Sequence, residues 1–523
     1  MESAHLHHFI NTDYQLSLRM VANTQTSTWP GERDPSHQDV ATASERPDPA
    51  LLSDFKRALL ASSDAVGAEK LFNMDLKDEV CETPAKKYTY PVALLSRFPR
   101  LPSDDHLSHL SRVFPTGCLG HVFFGQLPMP AMARELLAPP LRFAIACLGS
   151  VCSRGDAEEA KSIYQAGSSL WPVMVEVDNG LARSIEMLLA AVLLIPYGVL
   201  ASEEPLQRRS ALIISSSLTI CRRMQMHNPG RLDPGIQQRI LSYSPMLWLI
   251  WLWDVLQALH SNLSLNFSTD EISTNMPSST IAFQDIYRNL LQESNTDSQT
   301  ILSTTGNSSK EQAVLLLLAI LSDSITLRRS LGSAANIISS AQMNTYKHNP
   351  FVPFSAHTEL DRMQNRLSKA LDRWYTNFGN SLPPDIIALF HYCRLYLSCP
   401  EMSSLSRLAH YDDPLVPGIN YTNAASTTNT INISGQTLDH AWALLDVTAT
   451  YPKSENTLCS AWMPIIVFHA ALVVWAKISF GTGGDRDKYG SRRVLLAFKM
   501  ELETMQWPCC TKMAATLQRL MSS

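Results

Sequence analysis

The sequence predicts an all-α protein: an irregular array of antiparallel helices behind a partly disordered N-terminal arm. Three observations carry this expectation. From about residue 105 onward apolar residues recur at helical spacing, and alternating strand patterns are scarce. Helix-start signals stand at the head of several of these stretches. Laid over one another, the segments show no repeat of roughly 33–47 residues, so a regular solenoid is set aside in favour of packed helical hairpins.

The bulk numbers fit such a fold. The chain has 523 residues, 45% hydrophobic and 17% charged, enough for a sizeable core. Its formal net charge of -5 argues against a polyanion binder. The basic residues cluster only as pairs, Arg208–Arg209, Arg222–Arg223, Arg328–Arg329 and Arg492–Arg493. Each pair reads as a solvated helix face.

Residues 1–104 form the arm. The run "QTSTWPGERDPSHQDVATASERPDPA" is rich in Pro, Ser, Asp and Glu and reads as linker, with one short helix expected at Leu51–Ser62. His5, His7 and His8 stand together without a second ligand pair, a terminus rather than a metal site. No basic start followed by an apolar run is present, so no secretory signal is read and the expected compartment is cytosol or nucleus. The ten cysteines (81, 118, 147, 152, 221, 393, 399, 459, 509 and 510) are scattered, as buried thiols would be. The neighbours Cys509 and Cys510 are packing if buried and an oxidant-sensing pair if exposed.

The helices follow in order. Pro139 and Pro140 suit a first turn, where a missing N–H costs nothing. Asp156 stands as an N-cap before Ala157, Ala160, Ile163 and Tyr164, an apolar stripe. Further helices are expected near 181–202, 207–226 and 234–260. A flexible loop at 292–310 separates these from helices near 311–330, 358–378 and 384–398. A second flexible loop, 401–436, precedes helices near 437–449, 459–480, 490–506 and 511–521.

Three apolar runs, Met187–Leu200, Ala313–Leu321 and Met463–Phe480, invite a membrane reading. The first contains Pro196, the second is about half the roughly 20 residues a bilayer needs, and the third contains His469 and Lys477. Buried core helices account for all three, and no membrane partner is expected.

Enzyme motifs are sparse. Asp104–Asp105 and Asp412–Asp413 lack a third carboxylate at helical spacing and read as cap or turn residues. "FGTGGDRDKYG" follows a helix rather than a strand and lacks the phosphate-cradle sequence. No catalytic, cofactor-binding or metal-binding residue is assigned, no cofactor is expected, and the chain is expected not to be an enzyme. A zinc cluster or zinc finger needs closely spaced cysteines, yet Cys81 and Cys118 are 37 residues apart.

The most distinctive stretch is "LWLIWLWDVLQALHSNLSLNFSTDEISTNMP", Leu247–Pro277. Trp248, Trp251, Leu252, Val255 and Leu259 share one helix face, while Leu247 and Ile250 make the other side apolar too. A helix apolar all round should be surrounded. Asp254 is expected to offer a partner to a tryptophan N–H, and "STDEI" offers a second cap.

This arrangement resembles the fungal-specific transcription factor regulatory domain, the middle homology region found downstream of zinc-cluster or zinc-finger modules. The elements that carry the resemblance are Trp248, Trp251, Asp254, "LNFSTDEI" and Met276–Pro277. Upstream, "HLSRVFPTGCLGHVFFGQ" resembles the opening helix. "PLRFAIACLGSVCSRGDAEEAKSIYQAGSSL" and "SIEMLLAAVLLIPYGVLASEEPLQRRSALIISSSLTICRRMQM" resemble the following hairpins, ending on a helix closed by Arg. The likeness spans roughly 105–280. It departs from the family before the aromatic helix, where "QQRILSYSPM" leaves only Arg239.

The resemblance implies a regulatory domain at 105–291, with a helical extension at 292–523. It implies a nuclear transcriptional regulator, often of a pathway or secondary-metabolite gene cluster. Such a regulator would reach DNA only indirectly or through a separate module, and would act through protein partners, self-association or a small-molecule effector. Two alternatives stay open: an effector-binding or scaffold protein of the same fold without DNA contact, and an unrecognised helical enzyme.

Overall fold

The structure, a computed structural model, describes residues 98–118, 121–128, 137–177, 179–277, 279–292, 309–341, 356–379, 382–399, 402–411, 433–451, 458–480 and 488–522. All belong to one compact unit, Arg57–Ser523. The expected helix at 51–62, the histidines near the start, Asp412–Asp413 and the glycines of 481–487 lie outside the described residues.

Among the described residues the fold is all-α: seventeen α-helices, with one isolated antiparallel bridge, Asn275–Ala282, as the only extended pairing. The first helices are α1 (Asp104–Cys118), α2 (Pro139–Cys152), α3 (Ala157–Val177), α4 (Asn179–Ala182), α5 (Ile185–Val199) and α6 (Glu204–Arg223). Next come α7 (Pro234–Leu241), α8 (Ser244–His260), α9 (Phe283–Leu291), α10 (Lys310–Ala341), α11 (Ala356–Phe378) and α12 (Pro384–Ser398). The last are α13 (Met402–Leu408), α14 (Gly435–Thr450), α15 (Met463–Phe480), α16 (Lys488–Thr504) and α17 (Cys509–Ser522).

Local chemistry explains the boundaries. Helix α2 opens on Pro139 at its first position. Asp156 caps α3, its carboxylate accepting the Glu158 N–H at 3.1 Å. Ser184 does the same for α5, accepting from Met187 N at 3.3 Å.

Three features differ from expectation. The helix expected across 234–260 is two, α7 and α8, broken at Ser242–Tyr243. Pro245 has no N–H for Leu241 O and its ring crowds that carbonyl, so the chain turns and restarts with proline in the first turn. Helix α9 lies where no helix was expected. Helix α13 falls inside the run expected as the flexible loop 401–436, and its Met402 and Leu405, with Ala409 and Tyr411 beyond it, are buried. Polar composition hid those four apolar anchors.

Helices α1 and α2 lie side by side in the same sense. Asp104 meets Arg142 near their starts, Gly149 presses on the backbone of Leu110 midway, and Cys118 meets Cys152 at their ends. Helix α3 returns antiparallel to α2, with Gly167 against Phe143 and Ser150 Oγ against Glu159.

The three apolar runs are core. Residues Met187–Val199 of α5, Ala313–Leu321 of α10 and Met463–Ala476 of α15 are buried. Helix α15 is long and apolar enough to cross a membrane, yet 78% of it is buried within the fold. Every residue from Met246 to His260 of α8 is buried. Its neighbours are α5 and α6 on the N-terminal side of the chain and α10 and α15 on the C-terminal side.

Helix α5 contains Pro196, which cannot supply the N–H that Val192 O would accept in an unbroken helix. The Trp253 indole N–H of α8 supplies it instead, at 3.1 Å. At the C-terminal end of α5, His260 Nδ1–H donates to Val199 O at 2.6 Å and Cys509 N–H to Leu200 O at 2.7 Å. The terminal carbonyls of this helix are thus satisfied from α8 and α17.

Candidate functional site

The segment from Asn262 to Pro277 leaves α8, crosses the end of α6, runs along α10 from Arg329 past Asp323 to Gln312, and is held there by a set of charged and polar side chains. Asp254, only 1% exposed, aims back from α8. Its carboxylate accepts from Asn266 N at 2.8 Å, Asn266 Nδ2 at 2.7 Å and Phe267 N at 3.1 Å. Burial pushes its carboxyl up to about 6, and these hydrogen bonds oppose the rise.

Arg222, in the last turn of α6, grips the same segment. Its Nε and Nη2 donate to the two Glu271 carboxylate oxygens at 2.8 and 2.9 Å, and Nη2 also donates to Asn266 O at 2.7 Å. The guanidinium lies over the Phe267 ring, 5.1 Å from its centre. Glu271 in turn closes a capping box with Ser268 around the turn Thr269–Glu271. The hydrogen bonds from Arg222 hold the Glu271 carboxyl below its ordinary value, against the effect of burial.

From the other side Asp323 of α10 accepts from Thr269 Oγ1 and from Tyr287 OH, each at 2.6 Å. Gln284 of α9 donates to Thr269 O, and Gln312 of α10 donates to Pro277 O at 2.9 Å. Phe267, Ile272 and Met276 point inward and are buried. Beneath them Trp248 and Trp251 pack on Phe283, with centroids 5.5 and 5.6 Å away, and Phe283 stacks on Tyr287.

Asp254 therefore serves the loop, not a tryptophan, which corrects the expectation. Trp248 Nε1 and Trp251 Nε1 are buried without a hydrogen-bond partner. The Asp254 carboxylate is taken up by two loop backbone N–H groups, that of Phe267 buried and that of Asn266 partly so, and by the Asn266 amide. The arginine pairs are also only partly solvated faces. Arg209 reaches Ser169 Oγ at 2.9 Å, Arg222 closes the clasp, and Arg328 caps α12 through Leu397 O and Cys399 O at 2.9 and 2.6 Å. Sequence carried one usable signal for the clasp, the Ser268-x-x-Glu271 spacing. The Arg222–Glu271 pairing, 49 residues apart, had none.

Beside the clasp, at the break between α7 and α8, is a recess of about 400 Å³ lined by Leu241, Ser244, Asn275, Met276, Pro277, Ser279 and Thr280. Its volume is enough for a small ligand.

Other chemistry-bearing residues are structural in their placement. Asp104 and Asp105 occupy the exposed first turn of α1. Cys509 and Cys510 are buried at the start of α17. His260 Nε2 accepts from Tyr411 OH at 3.0 Å, and His469 Nδ1 hydrogen bonds Tyr392 OH at 2.7 Å. His121 is enclosed by Phe124, Trp253 and Trp462. Burial holds His121 and His260 down to about 4 and His469 to about 3, so all three are neutral imidazoles at neutral pH. Among the described residues no three of His, Cys, Asp or Glu are grouped to hold a metal ion.

No family model matches the chain, and no curated protein or solved structure shows significant similarity to it.

Proposed function

We propose that this protein is a nuclear transcriptional regulator, controlling a pathway or secondary-metabolite gene cluster through a helical regulatory domain at 105–291. One observation carries the reading. The residues on which the family resemblance rests are spread from Arg222 to Pro277, and they meet around a single clasp. The aromatic helix supplies Trp248, Trp251 and Asp254, the acidic element supplies Glu271, and Met276–Pro277 closes the segment.

In this reading the domain does no chemistry, and DNA is reached through a partner or a separate module. The recess beside the clasp supports a second role as effector binder, because a small molecule seated against Met276 and Pro277 would touch the clasped segment itself.

The test is deletion of the gene in the producing organism with transcript profiling. Loss of transcripts from one co-located gene set is expected. A metabolite that accumulates while transcripts stay unchanged would overturn the proposal in favour of an enzyme. In a mobility-shift assay the purified chain alone is expected to show no sequence-selective binding, and nanomolar selective binding would refute indirect DNA contact.

A further inference from the structure

We propose that Cys118 and Cys152 are an oxidisable pair, which a peroxide joins into an intramolecular disulfide that pins the C-terminal end of α1 to that of α2. The two sulfurs are 3.1 Å apart and both residues are buried. Their approach is set by the helices rather than by the thiols. Gly149 of α2 lies so close to Leu110 of α1 that an added methyl would collide with the Leu110 carbonyl. Arg142 and Asp104 fix the other end, at 3.5 Å. The third thiol of the neighbourhood, Cys147, is turned away and hydrogen bonds Ala160 O at 3.5 Å. Cys509 and Cys510 are sequence neighbours, a spacing that an ordinary disulfide cannot span without strain.

The chemistry balances with a peroxide as oxidant. One thiol loses its proton and attacks the O–O bond. An S–O bond forms, the O–O bond breaks, and the leaving oxygen takes up a proton as water, giving a sulfenic acid. The second sulfur attacks the first, the S–O bond breaks, and a second water leaves with the remaining thiol proton. Two thiols give up two protons and two electrons in all, and one peroxide becomes two waters. Burial, with the neighbouring Cys152, holds the Cys118 thiol well above its ordinary value. Thiolate is therefore scarce and oxidation is slow, set by local opening at the end of α1.

The bond would close a loop over residues 118–152. That loop carries the turn whose His121 and Phe124 pack against Trp253 of α8 and, for His121, Trp462 ahead of α15. Oxidation would thus fasten the α1–α2 pair to the turn that reaches the centre of the fold.

The test uses the full chain, folded, treated with hydrogen peroxide without reductant, then alkylated and digested with trypsin without reduction. Cleavage after Arg112, Arg134, Arg142 and Arg154 isolates Cys118 in one peptide and both Cys147 and Cys152 in another. The expected product is these two peptides joined, about 2 Da lighter than their sum, with fragmentation placing the bridge at Cys152. The oxidised chain should also melt at a higher temperature than the reduced chain. Cys118→Ser should abolish the joined peptide and Cys147→Ser should leave it. Failure of the folded chain to form the bridge, a bridge at Cys147, or formation only in denaturant would each overturn the proposal. The wild-type peptide map decides the matter even where a variant fails to fold.

Discussion

Replacing Trp253 by phenylalanine should cost more than the same change at Trp248 or Trp251, although all three side chains are fully buried. The volume lost is equal at the three sites, and a partly relaxed cavity of that kind costs about 1–2 kcal/mol. Only Trp253 donates to the carbonyl that Pro196 leaves without its helical partner, Val192 O. Leaving that buried acceptor unmade adds about 1–3 kcal/mol. At Trp248 and Trp251 the indole N–H is unpartnered, so its removal returns part of the cavity cost. Trp253→Phe is therefore expected to lose about 2–5 kcal/mol, and the other two on the order of 1 kcal/mol each. The second arm is Pro196→Ala in the Trp253→Phe background, which gives Val192 O a backbone N–H again and should recover on the order of 1 kcal/mol. Equilibrium unfolding in urea with matched slopes measures all four variants. Equal losses at the three tryptophans, or no recovery from Pro196→Ala, would refute the reasoning.

Other perturbations follow from the same contacts. Stability should fall in acid. His121 and His260 are held down to about 4 and His469 to about 3, against 6.5 when unfolded. Their contribution is complete above 6.5 and is lost as pH drops toward 4 and then 3, at about 1.4 kcal/mol per unit per residue. Asp254, held up to about 6 from 3.8, works with the opposite sign: its contribution is present below 3.8 and lost as pH rises through about 6. Asp323 and Asp385, also held up by burial, share the sign of Asp254, and His391, held down to about 4, joins the other histidines. The histidines, titrating from 6.5 when unfolded, dominate at the upper end of this range, so the urea midpoint should drop between about pH 7 and pH 5. A flat profile would contradict the burial of these rings. A double-mutant cycle on Arg222→Ala and Glu271→Ala should give a coupling on the order of 1 kcal/mol that shrinks in high salt, since both side chains are about one-third exposed. A coupling of zero would remove the clasp's ion pair from its energetics. Gly149→Ala should destabilise by about 3 kcal/mol or more, because its methyl meets the Leu110 carbonyl with nothing flexible to yield. An unchanged melting temperature would show that α1 and α2 can separate freely.

Features written in local order were legible. The spacing of Trp248, Trp251 and Val255 gave a surrounded helix, Pro139 and Asp156 gave helix starts, and uniform apolarity gave α5 and α15 as core. Features that depend on pairing across the chain were not. Arg222 looks like half of a charged surface pair until Glu271 is placed beside it. Asp254 looks like a tryptophan's partner until two backbone N–H groups arrive from Asn266 and Phe267. Helix α13 was lost because its few apolar residues sit in a serine-rich run. The break before α8 was readable in principle, from Pro245 and the Leu241 carbonyl it would orphan, but the apolar pattern running through it masked the stop.

The distribution of indoles has a practical reach of its own. Trp171, Trp248, Trp251, Trp253, Trp374, Trp462 and Trp507 are fully buried, and they sit on elements from both halves of the chain. Trp442, 41% exposed, stands apart from them on the solvent side of α14. Among the described residues the intrinsic emission is therefore a blue-shifted signal from the interior with Trp442 as its red, quencher-accessible contributor. A partner that merely docks on the surface should leave that spectrum nearly unchanged. A ligand that repacks the aromatic helix should move it, so fluorescence separates adhesion from rearrangement without any label.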